Sequence, residues 1–151
     1  METIANHILF KEAETAMRNG MSVKIRIVGK SMRPFLIEDM DVVIIEPYVY
    51  QTMGLYRGDI VLFKIENTYR LHRIISIKED HITLRGDNIY YSTENILREN
   101  VIGILHSIIR NSERIIYCKS LIWRIKSSVW FSLFPMRKFI FYIYVKISKK
   151  Q

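Results

Sequence analysis

Gly29-Lys30-Ser31-Met32-Arg33-Pro34, Arg57-Gly58-Asp59-Ile60-Val61-Leu62-Phe63, Leu71-His72-Arg73 and Arg85-Gly86-Asp87-Asn88 are, in chain order, the stretches that decide the fold. Ser31 follows an alternating run, residues 23–28, and a glycine, and Pro34 fixes the backbone three residues later. The hydroxyl is therefore offered from a constrained turn at the end of a strand. A serine hydroxyl is a weak nucleophile until a base takes its proton, and His72 is a base able to do so near neutral pH.

Working outward, the pattern is that of a β protein. Val23, Ile25 and Ile27 alternate with Lys24 and Arg26, as in a strand with one buried face. Residues 42–45 and 60–65 are denser β-branched runs, suited to strands covered on both faces. Residues 70–77 and 82–84 flank Glu79-Asp80 as a hairpin, with His72 on one strand and Asp87 just past the other. Residues 101–109 and 114–117, joined at Asn111-Ser112, complete the β part. Ahead of it, Ile4, Ile8, Phe10, Ala13 and Met17 recur at helical spacing and Asn19-Gly20 supplies a stop, so the spacing predicts an amphipathic helix. Charged residues interrupt that segment at Lys11, Glu12, Glu14 and Arg18, which is not the pattern of a signal peptide.

The 151-residue chain suits one domain with a true core. Its net charge of +8 is unevenly spread: residues 1–109 hold 13 Lys and Arg against 14 Asp and Glu, and residues 110–151 hold 10 against 1. A body that is nearly neutral does not fit a nucleic-acid-tracking protein, so no nucleic acid is expected as partner. The tail, residues 119–151, is basic and aromatic and suits an anionic membrane surface, with packing on the body or a protein partner as the alternatives. Its longest uncharged stretch, residues 127–136, is broken by Pro135 and falls short of the roughly 20 residues that span a bilayer. The single cysteine, Cys118, excludes an intramolecular disulfide and reads as a small buried hydrophobe. His7, His72, His81 and His106 show no metal-ligand spacing, and neither metal nor cofactor is expected.

The four stretches resemble the successive boxes of type I signal peptidases: Ser-Met-x-Pro at Ser31, Gly-Asp with an apolar strand at Gly58, a base followed by Arg at His72, and Gly-Asp-Asn at Gly86. The resemblance runs over roughly residues 23–105 and closes at Val101-Ile102-Gly103. Bacterial members and the related self-cleaving SOS and phage repressors carry Lys before the Arg, whereas the archaeal and endoplasmic-reticulum type carries His, as here. The resemblance implies a mainly β fold, the folded β-ribbon of signal peptidases and SOS repressors. With the helix and the tail read above, the chain is expected to divide into an N-terminal helix over residues 1–20, a catalytic β domain over 21–118 and a basic aromatic helical tail over 119–151. The resemblance also implies a serine endopeptidase that cleaves a leader or signal-like segment from a peptide or preprotein.

In that likeness Ser31 is the nucleophile, His72 the general base and Asp87 the carboxylate that orients it. His-type members resemble one another in a further Asp some residues downstream. Here Ser92 or Thr93 takes that place, with Glu94 alongside as the alternative to Asp87. Some members add a hydroxyl donor two residues before the nucleophile; that position is Gly29, which leaves oxyanion stabilisation to backbone N–H groups, that of Ser31 among them. Arg73 is expected to fix its strand through a carboxylate. Met40-Asp41 stands where the family pattern has Gly-Asp, a departure expected to affect the turn. Small substrate residues one and three positions before the cut would sit in shallow apolar pockets, with Met32 and strand residues near Ile25 or Phe63 as walls, beside a peptide that adds as a strand. Members that work across a membrane carry an apolar anchor just before the serine box. None stands there, so the expected location is cytoplasmic or peripheral to the cytoplasmic membrane. Two other classes fit less of the sequence: a self-cleaving repressor, which His72 and the 22 residues ahead of the first strand speak against, and a non-catalytic module that keeps the fold.

Overall fold

β-branched residues crowd the pleated surface of a strand favourably, and each run of them becomes one in the computed structural model, which describes residues 2–148, with side chains from Leu9 onward. The strands are β1 (Val23–Arg26), β2 (Asp41–Pro47), β3 (Ile60–Ile65), β4 (Thr68–Lys78), β5 (His81–Arg85), β6 (Glu94–Leu97), β7 (Val101–Arg110) and β8 (Arg114–Tyr117). The helices are α1 (Glu2–Arg18), α2 (Leu121–Ser132) and α3 (Phe134–Ser148), with a 3₁₀ turn at Arg98–Asn100. The chain divides into two compact units, residues 1–118 and 119–151.

The first unit is mainly β, as the sequence indicates. Its strands form one antiparallel sheet in the order β1-β2-β7-β3-β4-β5-β6, with β8 beside the far half of β7. β1 ends the order and pairs with β2, and no strand among the described residues pairs with its other edge. Two parities organise the middle of the sheet, because successive side chains point to opposite faces. Val61 is opposite His72, and Ile74 opposite Leu84, which is in turn opposite Glu94; these share one face. Ile60 opposite Arg73, and Arg73 opposite Arg85, occupy the other. Leu55, Val61, Phe63, Ile74, Ile82, Leu84, Ile96 and Val101 form a buried core cluster on the first face. Strand β6 has one buried apolar residue, Ile96, in four. That single residue is too weak a signal for a strand, and the sequence reading missed it.

Helix α1 ends where Asn19-Gly20 predicts. Gly20 has φ +80°, its N–H donates to Met17 O (2.9 Å), and Met21 N–H donates to Ala16 O (3.0 Å), a Schellman closure. Ala13 and Met17 are buried; Ile4 and Ile8 lie outside the residues whose side chains are described. Gly103 lets the helix approach the sheet, since a Cβ there would stand 2.8 Å from Met17 Sδ. Phe10 stacks on Tyr69 with ring centroids 5.5 Å apart. One turn on, Glu14 accepts from Tyr69 Oη (2.6 Å) and Arg18 Nη2 (2.6 Å), with Lys64 Nζ at 3.6 Å.

Burial pulls the Glu14 carboxyl up, but the hydrogen bonds from Tyr69 and Arg18 and the charge of Lys64 outweigh it and leave the group below its ordinary value. Burial, followed by the bond to Glu14, pushes the Tyr69 phenol up to about 12. A carboxyl lowered in the folded state stabilises the fold fully above the unfolded carboxylate value of about 4.3, and that contribution is lost as pH falls through the lower folded value. Urea midpoints recorded from neutral to acid pH are therefore expected to fall less steeply for Glu14→Gln than for the parent.

At the other end of the unit, Cys118 follows β8, and its N–H donates to His106 O (3.0 Å). Burial pushes its thiol up to about 12.

The second unit is helical. Ser120 caps α2 by accepting from Trp123 N–H (3.3 Å), and Leu133 closes it. Pro135 falls in the first turn of α3, where its missing N–H breaks no helical bond. Arg137 folds back over the Trp130 ring (3.6 Å) and donates to Trp130 O (2.8 Å). Among the described residues, no helix is long and apolar enough to cross a membrane.

Candidate active site

The turn that carries Ser31 is held by its own backbone and by two carboxylates, of which Asp41 is buried. Gly29 adopts φ +86°, a left-handed conformation open to glycine, and its N–H donates to Glu38 Oε1 (2.9 Å). Arg33 N–H donates to Lys30 O (3.3 Å), while Phe35 and Leu36 N–H both donate to Met32 O (3.0 Å each). Met32, Phe35 and Leu36 are buried and anchor the turn. Its far end is clamped by Asp41, fully buried, which accepts from Ile37 N–H (2.7 Å) and from Arg110 Nε and Nη2 (both 2.8 Å). Arg110 Nη2 also donates to Phe35 O (3.0 Å), and the bond to Asp41 holds the guanidinium above its ordinary value. Where the family pattern has Gly-Asp, the left-handed residue is Asp39 (φ +65°), and Asp41 itself ties the serine turn to β7.

His72 joins two groups. Its Nε2 is 3.3 Å from Ser31 Oγ, and its Nδ1 is 3.0 Å from Glu94 Oε2. Glu94 Oε1 accepts from Arg70 Nη1 (2.8 Å), so the carboxylate is held on both oxygens. The His72 and Glu94 side chains are 6% and 10% exposed. With Nδ1 bonded to a carboxylate, the proton belongs on Nδ1 and Nε2 is left to accept from the hydroxyl.

Asp87, expected to orient His72, instead meets Arg73. Arg73 Nε and Nη2 donate to its two oxygens at 2.8 and 2.7 Å, Arg73 Nη1 donates to Gly58 O (2.9 Å), and the Phe35 ring lies 4.7 Å from the guanidinium. Strand parity is the reason. Asp87 follows Arg85 by two residues and falls on the side of Arg73, whereas Glu94, through Leu84 and Ile74, falls on the side of His72. The expected carboxylate partner of Arg73 is thus Asp87.

The rest of the Gly-Asp-Asn box holds the serine turn. Asn88 N–H donates to Ser31 O (2.8 Å) and Asn88 Nδ2 to Lys30 O (3.3 Å). Gly86 permits the approach, because a Cβ there would sit 2.7 Å from Ser31 O and 2.9 Å from Ile89 Cδ1. A Gly86→Ala protein must shift the serine backbone. Since misplacement by about 1 Å costs on the order of 100-fold in rate, any catalysis through Ser31 is expected to fall by about that factor with the far-ultraviolet circular dichroism unchanged.

Ser31 and His72 open onto a cavity of about 770 Å³. Ile25, Ile27, Met32, Leu71 and Tyr69 form apolar walls and Phe10 of α1 contributes as well. Ile25 and Met32 stand where the wall was expected. On β3 it is Leu62, next to Phe63, that lines the cavity, whereas Phe63 itself is fully buried in the core cluster, with its ring 6.0 Å from that of His72. Among the described residues, no group of three or more His, Cys, Asp or Glu is placed to hold a metal ion.

The family model described as Peptidase S24-like matches residues 2–106. This chain belongs to the peptidase S24-like family. The matched segment of the S24-like chain takes in all four boxes together with Glu94 and ends within β7. No curated protein matches the chain. The eight-stranded antiparallel sheet is consistent with the S24-like β fold. Residues 119–148, with α2 and α3, lie outside the S24-like match.

Proposed function

We propose that the protein is a serine endopeptidase of signal-peptidase-like type, which cleaves a leader or signal-like segment from a precursor with Ser31 as nucleophile, His72 as base and Glu94 as the orienting acid. The observation that carries this reading is the position of His72, with one ring nitrogen at Ser31 Oγ and the other at Glu94. In the first step Ser31 Oγ bonds to the scissile carbonyl carbon while its proton passes to His72 Nε2, and the carbonyl π pair moves to oxygen. The oxyanion would be met by the Ser31 backbone N–H, which has no acceptor among the described residues. As the intermediate collapses, the C–N bond breaks and His72 gives its proton to the leaving amine, leaving an acyl-enzyme that water hydrolyses by the same route. Glu94, steadied by Arg70, stabilises the imidazolium that forms in each half.

The edge of β1 away from β2 borders the same cavity, so an extended peptide can pair with it and lay alternate side chains against Ile25 and Met32. Those walls are buried, which favours small residues next to the cut.

The test is a peptide library rich in Ala-x-Ala sites, with intact-protein mass spectrometry of the enzyme quenched during turnover. Cutting together with an acyl adduct mapped to Ser31 is the expected result. Neither cutting nor adduct with any substrate would sink the reading in favour of a non-catalytic binding module.

A further inference from the structure

The helical unit presents apolar surface well beyond the scattered exposure ordinary for a soluble protein. On α2, Ile122, Ile125 and Val129 are 68%, 54% and 53% exposed, and on α3, Phe139, Ile143 and Ile147 are 64%, 41% and 62% exposed. Each set recurs at intervals of three or four and so lines one helix face, and α3 exposes Ile140, Tyr142 and Tyr144 besides. The charge around these stripes has a single sign: residues 119–151 carry eight Lys and Arg and no Asp or Glu. Arg137 is turned onto Trp130. Arg124, Lys126, Lys138 and Lys146 are exposed.

We infer that this unit docks on an anionic lipid bilayer, lying in the plane of the interface with the two stripes in the acyl boundary and the lysines among the phosphates. Two features favour lipid over other occupants. Helices of 12 and 15 residues extend about 18 and 22 Å, short of a hydrocarbon core of roughly 30 Å, so they suit the interface and not a span. A wholly basic surround complements anionic headgroups, whereas it would set a second copy of the same face against like charge. An RNA partner would leave the stripes uncovered. The inference is independent of the peptidase reading, because lipid binding is measured without turnover.

The experiment is flotation of the full chain with vesicles of phosphatidylcholine alone or mixed with phosphatidylglycerol. Binding to the mixed vesicles, weakened by added salt and lost in a Phe139→Asp, Ile143→Asp protein, is the expected result. A second variant, Lys138→Gln with Lys146→Gln, alters exposed side chains and should keep the fold. Removing two charges at the surface is expected to weaken its binding about thirtyfold. No flotation with either vesicle, or flotation that neither variant changes, would overturn the inference, as would a lipid-free dimer that the Asp pair dissociates.

Discussion

Ser31→Ala is expected to leave no measurable peptide cleavage, with kcat down by about six orders of magnitude, the scale found when a serine-type nucleophile is deleted. Glu94→Gln is the sharper companion. The amide keeps the shape of the side chain but cannot stabilise an imidazolium, and it can present the wrong group to His72 Nδ1, changes that cost about 10⁴ in kcat in a Ser-His-carboxylate arrangement. Binding of an uncleaved peptide analogue, followed by fluorescence, should persist in both variants. If Ser31→Ala cleaved as fast as the parent, the triad would be disproved. If Glu94→Gln did so while Asp87→Asn failed, the acid would be misassigned.

Asp87→Ala is expected to act on stability. It removes the carboxylate that accepts from Nε and Nη2 of Arg73, a residue 1% exposed. Breaking a buried pair from one side costs about 3–5 kcal/mol, a large fraction of the total for a domain. Urea unfolding should show that loss, and activity should fall only as far as the folded fraction and the position of the serine turn allow. Phe35 over the guanidinium and Asn88 on Ser31 O make that turn the first part of the site to respond. A midpoint unchanged by Asp87→Ala would contradict the role given to the pair.

The contrast between these two acids marks how far the sequence carries. Strand identity was legible wherever β-branched residues cluster, and the serine and histidine of the proposed site were legible because each sits in a local box. The choice of partner for His72 was not, and Glu94 stood there only as the alternative to Asp87. Gly-Asp-Asn looks like the place for an acid and lies just past the right strand, but a hydrogen bond across three strands depends on register, which no local motif encodes. The deciding pairings are Ile74 with Leu84 and Leu84 with Glu94, and the second belongs to a strand with one buried residue. Counting parity from Arg85 to Asp87 was available as a signal, and it would have sent Asp87 to Arg73. The pockets were legible to the strand and not to the residue: Ile25, Met32 and Leu62 line the cavity, while Phe63 shares a face with His72 yet is consumed by the core.

Cys118 gives the molecule a handle of its own. Alkylating reagents consume thiolate and leave thiol alone, and a thiol pushed up to about 12 by burial offers little of it at neutral pH. Because it is the sole cysteine of the chain, whatever label it takes is confined to the end of the β7–β8 ladder, without any introduced probe.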